Sequence, residues 1–208
     1  EYPTIDRKND VPFLKDQVSF LKKNGIEVIV YKLINNSFIK KIKMIIELRA
    51  YINRSNFDIV HCHWGYNALF LFNINKPIVT TFHGSDLQGE VDKNGKQKLK
   101  SPFLILFSQL SAIISDVNIF VSSRLFFLTP KISRNRFSFI VPMGYNPMMF
   151  KPSSKLNSRR KLNLDIQKKI ILFAGNYTQP VKGYGLALRV MDYLDDTYHL
   201  VKINYNAY

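Results

Sequence analysis

The 208-residue sequence predicts an α/β protein built on a doubly wound parallel sheet, with the beginning of a second sheet of the same kind after it. Three observations carry that expectation. Short β-branched apolar runs alternate with longer segments of helical spacing. The runs are apolar on both faces, as strands covered by helices are. Side chains with chemistry to offer come directly after the runs, at the strand ends where open α/β sheets bind ligands.

The first helix is expected over Pro12 to Asn24, entered through Val11 and Pro12. Leu14, Val18 and Leu21 share a face, and Gly25 supplies the stop. Ile26 to Tyr31 is a β-branched run and reads as a strand. Helical spacing returns from Phe38 to Arg54, with Phe38, Ile42, Ile45 and Ile52 on one side and Lys40, Lys41, Lys43 and Arg54 supplying charge. Strands are then expected at Phe57 to His61, Pro77 to Phe82, Val117 to Val121 and Phe137 to Val141. Helices are expected at Trp64 to Phe72, Pro102 to Ile114 and Ser122 to Leu128, and a polar loop from Gln88 to Lys100 holds Asn94-Gly95. Residues 1–150 read as one domain and the polar, basic stretch 151–167 as a linker. From 168 to 208 a second domain begins: a strand at Lys169 to Ala174, a helix at Gly185 to Leu194 and a strand at His199 to Ile203.

Composition narrows the function classes. Thirty Lys and Arg face 15 Asp and Glu, giving a net charge of +15 and a field that attracts anions. Nucleic acid, anionic lipid and phosphorylated substrates all fit that charge, and so does a generally basic proteome. No nucleic-acid reading motif accompanies it, and the aromatics fall mostly in strands and helices, so no nucleic-acid partner is expected. One cysteine, Cys62, excludes an intramolecular disulfide and fits a reducing, cytoplasmic setting. No zinc-ligand spacing occurs and no metal site is expected. No run reaches the ~18 apolar residues that would cross a membrane. The chain opens on Glu1 without a secretory leader, and is expected to be a cut or processed sequence.

Four constellations carry chemistry. Asp58-Ile-Val-His-Cys-His-Trp64 places His61, His63 and Trp64 at a strand end, as structural histidines or as ligand contacts. Thr81-Phe-His-Gly-Ser-Asp86 offers His83 as a proton donor, acceptor or hydroxyl ligand, and Gly84 for close backbone approach. Its Ser85 and Asp86 would bond sugar hydroxyls or cap a turn. Gly175-Asn-Tyr-Thr-Gln-Pro-Val-Lys-Gly183 sets a glycine turn and Lys182 before a helix, which suits a diphosphate. Val141-Pro-Met-Gly-Tyr-Asn146, followed by Phe150-Lys-Pro152, puts Pro142 and Gly144 at a fixed junction.

Together these segments resemble glycosyltransferase family 4. The likeness lies in the Tyr2-Pro3 opening, D-I-V-H-x-H-W, T-F-H-G-S-D, V-P-x-G with F-x-P, and F-x-G with K-G, in order along nearly the whole chain. The resemblance implies a GT-B fold: two facing Rossmann-like domains with the active site in their cleft. It implies sugar transfer from a nucleotide-sugar to a glycan, glycolipid or polysaccharide-precursor acceptor, with retention of configuration and no cofactor or metal. Carried over by position, His83 is the catalytic residue beside the donor sugar, and Gly175, Asn176, Lys182 and Gly183 hold the donor. Gly84, Ser85 and Asp86 shape the cleft floor. His63 and Trp64 lie toward the acceptor, and Pro142 and Gly144 form the hinge. A lipid-linked acceptor would bring the basic helix Phe38 to Arg54 against an anionic membrane from the cytoplasmic side.

Departures from the family pattern matter. The diphosphate-binding Arg falls at Asn176, the junction Asn is Met143, and the acceptor-loop Gly is replaced around Val11 and Pro12. The family's first strand has no counterpart before Tyr2, and its paired Glu lie past Tyr208. On that pattern the chain is a partial enzyme, expected to transfer sugar poorly alone. Two other readings stand beside the transferase: an inactive family member acting as a binding or scaffold protein, and a basic nucleic-acid-binding module.

Overall fold

The structure, a computed structural model, describes residues 12–32, 38–92, 94–134, 137–148 and 150–203. The Tyr2-Pro3 turn, Val11 and the Phe38 side chain lie outside them. The chain forms two compact units, Glu1–Gly89 with Leu99–Met149, and Glu90–Lys98 with Phe150–Tyr208.

The first unit is built on four parallel strands, β1 (Val60–His63), β2 (Ile78–Phe82), β3 (Val117–Phe120) and β4 (Phe137–Ile140), side by side in that order. Two helices precede the sheet, α1 (Pro12–Lys23) and α2 (Phe38–Arg54). A 3-10 segment, Gly65–Leu71, follows β1, and α3 (Ser85–Gln88) and α4 (Ser101–Ile114) follow β2. Helices α5 (Ser123–Leu128) and α6 (Lys131–Arg134) lie between β3 and β4. In this sheet His63 stands beside Thr81, and Thr81 beside Ile119.

Side chains alternate across a strand. Cys62 therefore turns away from His61 and His63 and enters a core with Leu48 and Ile52 of α2, Ala68, Leu71 and Ile78. Arg49 ties α2 to the end of the 3-10 segment, donating to the carbonyls of Phe70 at 3.0 Å and Phe72 at 2.7 Å. A second core joins Phe82, Leu87, Ala112, Phe120 and Leu125, with the Phe82 and Phe120 rings stacked at 4.8 Å. Gly65 sits where any Cβ would collide with the Phe82 ring, so the chain can leave β1 at that point only through glycine. A buried polar seam joins α4 to the sheet. Thr80 and Ser115 hydroxyls pair at 2.7 Å, and Asn118 Nδ2 donates to the Ala112 carbonyl at 2.8 Å.

The second unit pairs β5 (Lys169–Phe173) with β6 (Tyr198–Lys202) in parallel, with α8 (Tyr184–Met191) between them in sequence. Its helix α7 (Lys155–Lys161) precedes β5. Residues 90–98 form a small hairpin, with Val91 bridged to Gln97 and Glu90 paired with Lys98 at 3.0 Å.

Two expectations are corrected, and a third stretch proves to hold a helix. Ile26 to Tyr31 forms no strand: it is irregular, and Ile26 and Ile29 are exposed. Strand propensity reports a fit to neighbouring strands, and none of the described strands runs beside this segment. The first strand begins at Val60 rather than Phe57, because its ladder starts where Val60 donates to the Pro77 carbonyl at 2.9 Å. His63, expected just after the strand, thus lies within it. The stretch read as linker holds α7, which the Ser154 hydroxyl caps. Its buried Arg159 donates to the carbonyls of Asp165 and Ile166 at 3.0 and 2.5 Å.

Candidate functional site

Parallel register brings the histidines of two motifs together. His61 and His63 project from one face of β1, their rings stacked at 4.4 Å. Thr81, opposite His63 on β2, bonds His61 Nε2 at 2.8 Å. His83, just past the end of β2, meets His63 through His83 Nε2 and His63 Nδ1, 2.9 Å apart. Phe13 of α1 closes over this group, 4.9 Å from the His83 ring, and Trp64 lies 5.1 Å from it.

Burial among these rings disfavours a charged imidazole. It pulls His61 down to about 4, with the neighbouring His83 adding to the effect. The same cause, reinforced by His61 and His83, takes His63 down to about 3. His83 is lowered too, again through burial, with the Asp86 carboxylate opposing. All three rings are therefore neutral at pH 7. In a neutral pair the 2.9 Å bond couples the tautomers. Either both His63 and His83 carry their proton on Nδ1, or both carry it on Nε2. In both cases His83 Nδ1 is the nitrogen left without a partner among the described residues. It can accept a hydroxyl proton or donate to a hydroxyl oxygen.

Asp86 builds the turn that holds His83. Its side chain is fully buried and accepts four backbone N–H groups: Gly84 at 2.7 Å, Gly65 and His83 at 3.1 Å, and Leu87 at 3.2 Å. Gly84 has φ 132°, open to glycine alone, and Trp64 takes the unusual φ 65°. The carboxylate joins the end of β1 to the end of β2. Asp86 is thus an anchor inside the turn, while Ser85 beside it is exposed. Pro142 and Gly144 lie exposed in the irregular stretch after β4.

The second unit places its own predicted residues at the carboxyl end of β5. A Cβ on Gly175 would sit 3.2 Å from Lys182 Cβ, so glycine allows the close return of the chain. Asn176 is spent locally, its Oδ1 accepting from Thr178 N at 3.0 Å and Thr178 Oγ1 at 2.7 Å. Lys182 ends the 3-10 turn Pro180–Lys182, exposed and without a carboxylate partner among the described residues. Gly183, left-handed at φ 77°, opens α8.

Sequence reasoning did not single out Phe13, nor the bond between Thr81 and His61. Thr81 was legible as a strand residue, but its bond to His61 depends on register. Among the described residues no group of three or more His, Cys, Asp or Glu side chains is arranged to hold a metal ion. No helix among them is long and apolar enough to cross a membrane.

The family model described as Glycosyltransferase Family 4 matches residues 10–125, more than half of the chain. Among solved structures, sucrose-phosphate synthase from Thermosynechococcus elongatus is similar at a TM-score of 0.53 and 14% identity, covering 86% of this chain and 54% of that one. A UDP-N-acetylglucosamine 2-epimerase from Rickettsia bellii gives a TM-score of 0.42 at 15% identity, covering 95% and 53%. The chain thus spans about half the length of these structures. No curated protein sequence matches it.

Proposed function

As the chain belongs to glycosyltransferase family 4 and has a GT-B-type α/β fold, we propose that the complete protein transfers a sugar from a nucleotide-sugar donor to a glycan, glycolipid or polysaccharide-precursor acceptor, with retention of configuration. The observation that carries this reading is the site around His83. A neutral imidazole is fixed by His63 at one nitrogen and left open at the other, on a turn pinned by Asp86 at the end of a parallel strand. That is the place and the chemistry for holding a sugar hydroxyl. His83 is the proposed catalytic residue. His63 orients it, and Trp64 and Phe13 supply the apolar wall.

In the second unit, Lys182 is proposed to neutralise the diphosphate as it becomes the leaving group. Gly175 and Gly183 keep the turn open to it. Replacing Lys182 by Ala removes a charge-assisted phosphate contact, and nucleoside diphosphate affinity of the complete protein should fall about 10- to 100-fold. Calorimetric titration reads this directly, and an unchanged affinity removes Lys182 from the site.

One observation favours a second reading, a family member that binds the nucleotide without transferring sugar. Asn176 stands where the family places a charged residue, and its side-chain oxygen is bonded to Thr178. Diphosphate binding without measurable sugar transfer from any nucleotide-sugar would favour it.

Contact with an anionic membrane belongs to the transferase reading, since a lipid-linked acceptor is presented there. Helix α2 supports it, with Ile39, Lys40, Lys43 and Ile46 exposed. Vesicles rich in phosphatidylglycerol should co-sediment with the protein at low salt and release it at high salt. Absence of binding at low salt removes the membrane from the reading.

A further inference from the structure

The carboxyl edge of the two-stranded sheet carries a second ammonium besides Lys182. Parallel register sets Lys202, the last residue of β6, beside Phe173, the last of β5. The Lys202 side chain is exposed, yet it folds back over the turn. Its Nζ lies over the Tyr177 ring, 4.2 Å from the centroid, and 5.7 Å from that of Tyr184. Tyr177 belongs to the Gly175–Gly183 turn, and Tyr184 is the first residue of α8, directly after Gly183. The two tyrosine rings lie 5.8 Å apart, and Phe173 backs Tyr184 at 5.0 Å.

Physical chemistry explains why a lysine is held there. A cation over an aromatic face is attracted by the ring quadrupole. The ammonium protons not directed at the rings remain available to a ligand. Neither Lys182 nor Lys202 has a carboxylate partner among the described residues. The turn itself, through Asn176, contributes no charge, because a carboxamide is neutral, and its Oδ1 is already bonded to Thr178. Two cations from different elements therefore flank one glycine turn, one of them fixed in place by aromatic rings. A ligand with two adjacent anionic groups is what such a pair fits, whereas a monoanion needs only one of them.

We infer that Lys202, held over Tyr177 and Tyr184, is the second cation of the diphosphate site, and with Lys182 supplies the charge that Asn176 cannot. This rests on the donor-binding reading above and adds to it a residue that the motif pattern does not contain. It also answers the observation behind the non-catalytic reading: the neutral Asn176 leaves the turn with two cations rather than one.

The test is calorimetric titration of the complete protein with UDP, GDP and ADP. Lys202→Gln should weaken whichever diphosphate binds by about ten-fold or more, the loss of one charged phosphate contact. Lys202→Arg should hold affinity within about three-fold, because both charge and ring contact survive. Asn176→Arg placed in the Lys202→Gln protein should restore much of the loss by returning a cation to the turn. Equal affinity of wild type and Lys202→Gln overturns this inference while leaving the donor reading intact. An equal loss in Lys202→Arg and Lys202→Gln also overturns it, since charge is then not what matters. Failure of the wild-type protein to bind any of the three diphosphates overturns the donor reading, and this inference with it.

Discussion

Asp86→Ala should destabilise the protein by roughly 3–5 kcal/mol, a large fraction of the ~5–15 kcal/mol that typically holds a domain together. The wild-type carboxylate is fully buried and accepts from the backbones of Gly65, His83, Gly84 and Leu87. Alanine leaves those N–H groups facing a small cavity. Each buried donor without a partner costs about 1–3 kcal/mol, less what a trapped water recovers. Asn is the informative companion. It keeps the shape but offers one acceptor oxygen, and its NH2 turns toward N–H groups that cannot accept. Its expected cost is smaller, about 1–3 kcal/mol. The midpoint of urea unfolding measures both. The loop chemistry should suffer in parallel, because His83 and Gly84 are held by the same carboxylate. A loss under about 1 kcal/mol for Asp86→Ala would show that the turn keeps its shape without the anchor.

This residue also shows where sequence reading stops. Asp86 was legible as a polar residue on a turn, with sugar binding and capping both open. Burial decides between them, and burial comes from α4 and the 3-10 segment closing over the loop. The strands β2, β3, β4 and β5 were legible because short apolar runs between turn residues have few other ways to fold. Ile26 to Tyr31 has the same composition but lies beside none of the described strands, so the same signal misled. Helix α7 escaped notice for the opposite reason. Its sequence is polar and basic, and one buried guanidinium rather than an apolar stripe fixes it. At the site, alternation along β1 makes His61 and His63 neighbours from sequence alone. Their meeting with Thr81 and His83 needs the register of β1 on β2, twenty residues apart. Lys202 needs the register of β6 on β5, which no local pattern announces.

The same stacked histidines should make stability fall as pH drops from about 6.5 toward 4. The ordinary histidine value is 6.5, while the folded protein holds His61 at about 4 and His63 at about 3. Their folded values lie below their unfolded ones, so the unfolded chain takes up protons first on acidification. Stability is therefore complete above pH 6.5 and declines through the interval below it. The decline ends for each ring only where the folded form also binds its proton. At pH 5 each ring is about 1.5 pH units below the unfolded value, or roughly 2 kcal/mol at 1.36 kcal/mol per unit. Two rings at a partly solvated sheet edge amount to about 2–4 kcal/mol together. His83 is shifted the same way and adds to the loss. The exposed carboxylates Asp165 and Asp195 are also shifted downward, but from 3.8, so they act in more acid solution and leave the upper interval to the histidines. Urea midpoints taken from pH 7 to 5 should therefore fall steeply. In His63→Asn the slope should flatten, because one buried titrating ring is gone while a polar atom remains near the Nδ1 position to meet His83. A profile flat between pH 7 and 5 would mean that the rings are hydrated in the folded protein. His83 would then be an ordinary solvated imidazole rather than a neutral one held ready for a sugar hydroxyl.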